Sequence, residues 1–240
     1  IWMNITKFIK KLIPDNLFFY LKKFIMRNQK FFGLNNLDEK ILKYLDYNNG
    51  FYIELGANDG ISQSNTLHFE KYKNWKGILI EPIKQKYDQC VNIRSKRNYF
   101  FNCACVSDEF EGNKIKLIYS NLRTMVVDKK NLIDPNIHIS KKDVKIYEKN
   151  YEIECESRTL NSILEEVNAP KLIDFFSLDT EGYEIEILKG INFVEYKFKF
   201  ILIETPNINL VKKYLNSKKY ELIDKLTFHD YLFKLTLWFL

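Results

Sequence analysis

Hydrophobic and polar positions follow two different periods along the chain, and the change comes near residue 50. Before it, residues 5–13 and 17–26 carry apolar side chains at helical spacing among lysines, with Pro14 between the two stretches. Apolar positions three and four residues apart form one stripe on a helix, so two short amphipathic helices are predicted. A third helix is predicted at 38–47. The turn residues at 48–50 then close an N-terminal helical appendage, which is predicted to occupy residues 1–48.

Residues 49–240 show the pattern of a single α/β domain, in which short apolar runs alternate with amphipathic stretches. The predicted strands are 51–55, 77–81, 99–106, 173–179 and 200–204, with a final pair at 220–223 and 229–237. The predicted helices are 63–71, 83–94, 159–167 and 183–188. This alternation is typical of βα units, which predicts a largely parallel sheet covered on both faces, a doubly wound fold. The polar insertion at 109–156, with one strand at 114–119, is predicted to be a substrate-facing loop.

Composition argues against several functional classes. Lys and Arg number 37 against 31 Asp and Glu, and no arginine-rich tract or zinc-finger spacing accompanies this excess, so nucleic-acid binding is not expected. The excess gathers in residues 1–30, where lysine pairs leave no apolar stretch long enough to span a bilayer. A basic amphipathic end is nevertheless a candidate for peripheral contact with anionic lipid. The four cysteines form no CxxC pair, which favours a reducing cytoplasm.

The strongest local motif begins where strand 51–55 runs into Gly56-Ala57-Asn58-Asp59-Gly60. Glycines at 56 and 60 would let the backbone pass close to a ligand at the carboxyl end of the first strand, where open α/β sheets bind cofactors. The spacing is GxxxG rather than the GxGxxG that cradles a pyrophosphate, which favours a cofactor without phosphates. The acid Glu54 would attract a positively charged cofactor.

A second strand ends in an acid at Glu81-Pro82, twenty-one residues beyond Gly60. A carboxylate at this place can accept hydrogen bonds from both ribose hydroxyls of an adenosine-containing cofactor. The alternative for Glu81 alone is an exposed strand-end carboxylate. The two motifs together, at βαβ spacing, favour a nucleoside cofactor.

A third group of acids follows the later strands. Asp179 and Glu181 come after the strand at 173–179, where a carboxylate could orient or deprotonate an acceptor hydroxyl, although either could instead cap the next helix. Glu204 ends the neighbouring strand. His229 opens the last strand and is a candidate general base, with a turn at the start of that strand as the alternative. Converging carboxylates would also permit a divalent metal ion, so metal dependence stays open.

Five motifs in this order resemble the FkbM-type methyltransferase family. They are ELGANDG at 54–60, SNTL at 64–67, GILIEP at 77–82, ACVS at 104–107 and FSLDTEGYEIEILKG at 176–190. The resemblance implies a Rossmann-like class I methyltransferase fold, with a largely parallel seven-stranded sheet whose final strand is antiparallel. It also implies S-adenosylmethionine as cofactor and transfer of a methyl group to a hydroxyl of a sugar, glycan or related metabolite.

The resemblance also assigns site residues. It places Glu54, Gly56, Asn58 and Gly60 around the methionine end of the cofactor, Glu81 on the ribose, and Ser107 with Asp108 at the adenine edge. Ala57, Asn65, Pro82 and Asp179 complete the predicted cofactor-binding set, and Asp179, Glu181, Glu204 and His229 form the predicted catalytic set. Thr180 stands where a small aliphatic residue is common, and residues 119–151 match poorly, which leaves the acceptor open.

Two alternatives to an O-methyltransferase were weighed against these motifs. A nicotinamide-dependent oxidoreductase would share the strand-end acids, but GxGxxG is absent and no Tyr-x-x-x-Lys pair directly follows a central strand. A non-catalytic nucleoside-binding module would keep the fold without transfer, and the intact glycines and acids argue against it. A small-molecule or glycan acceptor is expected, and a cytoplasmic location, with membrane association through the basic helices as the variant.

Overall fold

The computed structural model of the protein describes residues 28–119, 124–128, 130–131 and 151–236, with the single residues Leu21 and Phe24. The helices predicted at 5–13 and 17–26 lie outside this set apart from those two residues. Over the described residues, no helix is long and apolar enough to cross a membrane.

Strands and helices alternate along the chain except at β3 to β7 and at β10 and β11, where strands follow one another among the described residues. The helices are α1 (Leu37–Leu42), α2 (Leu67–Lys73), α3 (Lys84–Ile93), α4 (Leu160–Glu166), α5 (Glu184–Lys189) and α6 (Ile208–Ser217), with a 3-10 turn at Leu34–Asn36. The strands are β1 (Phe51–Leu55), β2 (Lys76–Ile80), β3 (Tyr99–Phe101), β4 (Ala104–Val106), β5 (Lys114–Tyr119), β6 (Met125–Val126), β7 (Tyr151–Thr159), β8 (Leu172–Leu178), β9 (Lys197–Glu204), β10 (Tyr220–Lys225) and β11 (Asp230–Leu235).

Seven of these strands form the main sheet, in the spatial order β10-β11-β9-β8-β1-β2-β3. β1 pairs in parallel with β2 and β8, β2 with β3, and β8 with β9. The last strand, β11, runs antiparallel to both β9 and β10. The predicted mixed α/β fold is therefore confirmed. The parallel strands bring their carboxyl ends to one edge, and the predicted site residues follow those ends.

Both faces of the main sheet are covered, which explains why all five residues of β1 are buried. Ile53 and Leu55 pack into one apolar core with residues of α4, α5 and α6. Tyr52, on the opposite face, packs into a second core that includes Ile41 of α1 and Trp75. Side chains of a strand alternate between faces, so a strand buried on both sides is apolar throughout rather than at every second position.

A second, four-stranded sheet in the order β4-β7-β5-β6 corrects two predictions. The strand predicted at 99–106 is two strands in different sheets, because Asn102 turns the chain and its side-chain amide donates to the carbonyls of Glu81 (2.9 Å) and Pro82 (3.0 Å). The described part of the insertion is not a loop, since β7 pairs with β5 along six residues. The period-two pattern of β7 is weak because most of its residues are exposed or half-buried.

The helices differ from the predictions at two boundaries and by one additional helix. The helix predicted from residue 63 begins at Leu67, because the backbone N–H of Leu67 donates to Ser64 Oγ (3.1 Å) in a capping turn. The helix predicted at 38–47 ends at Leu42. α6 was not predicted, and its first turn is capped by Asn207, whose Oδ1 accepts from the N–H of Leu210 (3.2 Å).

Candidate cofactor and acceptor site

A cavity opens at the carboxyl edge of the main sheet, between the ends of β1, β2 and β8 and the second sheet. Six of the predicted site residues line it: Gly56, Asn58, Glu81, Pro82, Asp179 and Glu181. Three different strands contribute these residues, so distant parts of the sequence meet at one place. This is the edge at which parallel α/β sheets bind ligands.

Position 56 requires a glycine for two reasons, its own backbone conformation and the close approach of another segment of the chain. Its φ of +88° is in the left-handed region, and a Cβ atom there would lie 2.4 Å from the carbonyl oxygen of Asp179. The N–H groups of Gly56 and Ala57 both donate to the carbonyl of Ile80 (3.1 Å each). A side chain at position 56 is thus excluded by the backbone that follows β8. The sequence had suggested instead that a side chain there would block the path of a ligand.

Glu81 is a buried carboxylate in the wall of the cavity. One oxygen accepts from the N–H of Asn58 (2.8 Å) and the other from the N–H of Ile83 (2.8 Å). Burial raises the pKa of Glu81 to about 7, although these two hydrogen bonds act in the opposite direction. The carboxylate therefore fastens the turn after β1 to the end of β2, and is not the exposed strand-end acid considered as the alternative.

Glu54 is not among the residues that line the cavity. Its buried carboxylate accepts from Ser64 Oγ (2.9 Å), the N–H of Asn65 (2.8 Å) and Thr66 Oγ1 (2.6 Å). An ion pair with Arg94 Nη1 (3.1 Å) completes its surroundings. The geometry favours a role in holding the loop between β1 and α2, and direct contact with a cofactor stays a prediction.

Arg94 is the centre of this buried network, which we call the Arg94 cluster: Arg94, Glu54, Glu70 and Tyr52. The guanidinium donates to Glu70 (Nε, 2.8 Å), to the hydroxyl of Tyr52 (Nη2, 2.9 Å) and to the carbonyl of Gly60 (Nη1, 3.3 Å). Burial alone would raise the pKa of Glu70, but the charge and hydrogen bonds of Arg94, with a backbone bond from Ser95, lower it. The cluster thus holds the carboxylate of Glu70 ionised.

The remaining predicted cofactor residues are not in the cavity wall. Gly60 packs against α3, where a Cβ atom would lie 3.0 Å from Arg94 Cγ. Asn65 donates to Ser177 Oγ (3.1 Å) in the interior. Ala57 and Ser107 are buried, and Asp108 is exposed. Cofactor contacts from these five residues stay predictions without support from their positions.

A second group of acids lies at the ends of β8, β9 and β11, and we call it the acidic row: Asp179, Glu204 and Asp230. Glu204 and Asp230 are directly opposite each other in the antiparallel ladder. Burial and then the charges of Glu204 and Glu181 raise the pKa of Asp179 well above its usual range. Burial, with Asp230 and Glu184 nearby, raises the pKa of Glu204 to about 7. Each carboxylate of the row therefore resists ionisation.

The sequence model of the FkbM methyltransferase domain matches residues 54–233. The chain belongs to the FkbM methyltransferase family. A crystal structure of the FkbM methyltransferase from Methylobacillus flagellatus is similar at a TM-score of 0.47 and 15% sequence identity, over 78% of this chain and 43% of that one. The chain thus spans less than half the length of that protein. No curated protein matches the sequence.

Several residues in the cavity of this FkbM domain were not predicted. They are Ser62, Gln63, Lys86, Ala104, Cys105 and Thr124. Ser62 and Gln63 lie two and three residues after Gly60, so extending the first motif by three residues would have found them. Thr124 comes from the insertion, which the sequence predicted to face the substrate without indicating which of its residues line the cavity.

Two catalytic predictions receive no support from the geometry of the FkbM domain. His229 is exposed, with its ring edge against Phe228 (centroids 4.7 Å apart), and it does not line the cavity. Among the residues described, no group of three or more His, Cys, Asp or Glu side chains is placed to hold a metal ion. Glu181 does reach the cavity, in a left-handed conformation with φ of +54°.

Proposed function

We propose that this FkbM-family chain is an S-adenosylmethionine-dependent O-methyltransferase with the class I architecture, acting on a hydroxyl of a sugar, glycan or related metabolite. The observation that carries the proposal is the buried carboxylate of Glu81 in the cavity wall, beside Gly56 and Asn58. Each of its oxygens accepts one described backbone hydrogen bond, so each keeps a further acceptor site for a ribose hydroxyl. The residues present therefore fit a nucleoside cofactor.

Strand order supports the same conclusion. From β1 the sheet continues through β2 and β3 on one side and through β8 and β9 on the other. The strand order therefore reverses at β1. Open α/β sheets bind nucleotides and related cofactors in the crevice that forms at such a reversal. The cavity lies there, between residues that follow β1, β2 and β8.

The chain's own residues are proposed to align the acceptor and to accept its proton. S-adenosylmethionine supplies a methyl group on a positively charged sulfur, and its in-line transfer depends chiefly on alignment. Asp179 lies in the cavity wall, where its carboxylate would orient the acceptor hydroxyl or accept its proton. A positive charge in the cavity would lower the raised pKa of Asp179, so the group would ionise when a cationic ligand is present.

The acceptor is proposed to be a small molecule or glycan, because polar and acidic groups follow the strands next to the cavity. The location is proposed to be the cytoplasm. Peripheral contact of residues 1–30 with anionic lipid is a further proposal that rests on their basic sequence alone.

Calorimetric titration with S-adenosylhomocysteine, the demethylated product, tests the cofactor assignment. Glu81→Ala should weaken binding by about 1.5 to 3 kcal/mol for each charge-assisted hydrogen bond lost, which is at least about tenfold. Asp88→Ala, an exposed acid on α3, serves as the control and should leave the dissociation constant unchanged. An unchanged constant in Glu81→Ala would refute the ribose assignment. Binding of a nicotinamide dinucleotide in place of S-adenosylhomocysteine would favour the oxidoreductase.

A further inference from the structure

A short segment before α1, which we call the strap (residues 29–33), lies against the loop and the helix that follow β1. Phe32 is buried and packs against Ile61 of that loop. The N–H groups of Phe32 and Gly33 donate to the two oxygens of the buried Asp38 carboxylate, at 2.6 and 3.1 Å. The strap is therefore fastened to the start of α1 on one side and to the chain after β1 on the other.

Helix α2 holds the beginning of the strap. His68 Nδ1 donates to the carbonyl of Lys30 (2.9 Å), because a carbonyl can only accept, and the hydroxyl of Tyr72 donates to the carbonyl of Gln29 (3.1 Å). The rings of Phe31 and His68 are stacked, with their centroids 4.8 Å apart. Four residues of the strap thus have contacts that fix their position against the domain.

The strap meets the cavity at Gly33. Gly33 and Gln63 form an isolated parallel β-bridge, and Gln63 lines the cavity. A Cβ atom on Gly33 would lie 2.9 Å from Asn65 Oδ1 and 2.9 Å from the backbone nitrogen of Asp38, so a side chain there would force the strap or the loop to move. The absence of a side chain at position 33 lets the strap approach the loop this closely.

Gln63 has a backbone conformation that needs support from its surroundings. Its φ of +60° is in the left-handed region, which residues other than glycine adopt at an energetic cost and keep where neighbouring structure imposes it, often at ligand sites. The preceding residue, Ser62, is fixed by Asp59, whose carboxylate accepts from the N–H and the hydroxyl of Ser62 (2.7 Å each). Gln63 itself pairs with Gly33 of the strap.

We propose that Gly33 is a positioning residue for cofactor binding, because the strap holds Gln63 in the left-handed conformation in which it lines the cavity. The inference rests on the proposed methyltransferase function, since the ligand that Gln63 meets is then S-adenosylmethionine. The strap precedes residues 54–233, which the family model matches, so this contribution comes from the appendage and not from the FkbM motifs. A change in the strap alters cofactor affinity through Gln63.

Calorimetric titration with S-adenosylhomocysteine in a double-mutant cycle tests this coupling. Gly33→Ala keeps an allowed backbone conformation (φ of −61°) but pushes the strap away from the loop, so affinity should fall roughly threefold to tenfold, as for one lost hydrogen bond. Combined with Gln63→Gly, which removes the side chain and adopts a positive φ without strain, the same change should lower affinity by less than about twofold. Leu34→Ala is the control, because Leu34 is exposed and follows the strap directly, and it should leave the affinity unchanged.

Asp38→Asn loosens the strap by a second route, since an amide has one oxygen for two N–H groups that bond to different oxygens in the wild type. It should lower the affinity in the same direction as Gly33→Ala. Amide hydrogen exchange of residues 61–66 provides a measurement that needs no ligand. Exchange there should be faster in both variants than in wild type, while the amides of α6 keep their wild-type rates.

Unchanged affinity of Gly33→Ala, in a protein whose wild type binds S-adenosylhomocysteine, would refute the role of the strap and leave the proposed function intact. An equal loss of affinity with and without Gln63→Gly would also overturn the proposal, because the strap would then act on the whole domain and not through Gln63. Absence of S-adenosylhomocysteine binding in the wild type contradicts the proposed function, and the cofactor role of Gly33 with it.

Discussion

The Arg94 cluster and the acidic row are two groups of acids whose charges the fold treats in different ways. The acids of the cluster are buried, whereas Asp179 and Glu204 of the row are half-buried. In the cluster, the side chains of Arg94 and Glu54 are 0% and 5% exposed, and every carboxylate oxygen that the guanidinium contacts lies within 3.1 Å of it. In the row, the carboxylates face one another, and burial raises the pKa of Asp179, Glu204 and Asp230.

The difference separates a structural role for buried charge from a functional one. A buried carboxylate with a cation and several hydrogen bonds is satisfied within the fold, and removal of the cation leaves an uncompensated charge. Carboxylates whose ionisation the fold opposes are typical of sites that await a proton, a substrate or a cofactor. Asp179 of the row lines the cavity, whereas no member of the Arg94 cluster does. We therefore expect the cluster to support the loop after β1 and Asp179 to act on the ligand.

The largest expected effect is the loss of methyl transfer when Asp179 of the row is substituted. Asp179→Asn keeps the shape and removes the charge, so methyl transfer should fall about 100-fold to 10,000-fold, as for a lost general base or orienting group. Affinity for S-adenosylhomocysteine should change little. Single-turnover transfer from radiolabelled S-adenosylmethionine to pooled nucleotide sugars and glycans, with and without chelator, measures the loss.

Asp88→Asn is the matched control for the loss of one charge, because Asp88 is exposed and does not line the cavity. Turnover of Asp179→Asn within about threefold of wild type would mean that Asp179 is structural. Attention would then pass to Glu181, Glu204 and His229.

The largest effect on stability is expected at Arg94. Arg94→Met removes the cation and leaves Glu54 and Glu70 buried, which should lower the free energy of unfolding by about 3 to 5 kcal/mol. Arg94→Lys retains the charge but loses the planar fork of donors. Its free energy of unfolding should therefore lie between those of wild type and Arg94→Met. Urea denaturation provides the measurement.

Arg97→Met tests the same substitution at an exposed position three residues away and should change the free energy of unfolding by no more than about 0.5 kcal/mol. A loss below about 1 kcal/mol in Arg94→Met would show that the cluster is not needed to hold its acids, against the expectation for a broken buried pair.

The row was largely predictable from sequence, whereas the cluster was not. Asp179 and Glu204 of the row, like Glu81 in the cavity wall, are acids at the ends of apolar runs, and the ends of parallel strands meet at one edge whatever the details of the fold. Asp230, the third member, was not predicted. Arg94 has no such signal. Its partners Glu70 and Glu54 lie 24 and 40 residues away, and only the packing of α3 against the loop after β1 brings them together.

The same physical reason accounts for the surroundings of Gly60 and for the break between β3 and β4. Gly60 was predicted to approach a ligand, but its backbone approaches α3 and the side chain of Arg94. β3 and β4 read as one strand because both are apolar, and the break at Asn102 depends on carbonyl groups twenty residues earlier in the chain. Local patterns predict elements and their ends, while these features depend on contacts between elements.

The smallest expected effect is a pH dependence of stability with opposite signs in the two groups. The pKa of Glu204 is raised from 4.5 to about 7, so its contribution is present below pH 4.5 and is lost as the pH rises through about 7. Glu204→Gln removes that loss, and the variant should be more stable than wild type by about 1 to 3 kcal/mol near pH 8. The pKa of Glu70 is lowered, so its contribution is present above 4.5 and is lost as the pH falls.

Urea denaturation across a pH series, without ligand, measures how the free energy of unfolding of each variant depends on pH. Glu204→Gln should converge with wild type at acidic pH and diverge from it at alkaline pH, because only the ionised carboxylate is disfavoured by burial. Glu70→Gln should also converge with wild type at acidic pH, but at neutral and alkaline pH it should be less stable than wild type, since the ion pair of Glu70 with Arg94 requires the charge. Glu221→Gln, exposed on β10, should run parallel to wild type throughout. A stability difference between Glu204→Gln and wild type that stays constant with pH would show that the row is not held against ionisation, and would remove its contrast with the Arg94 cluster.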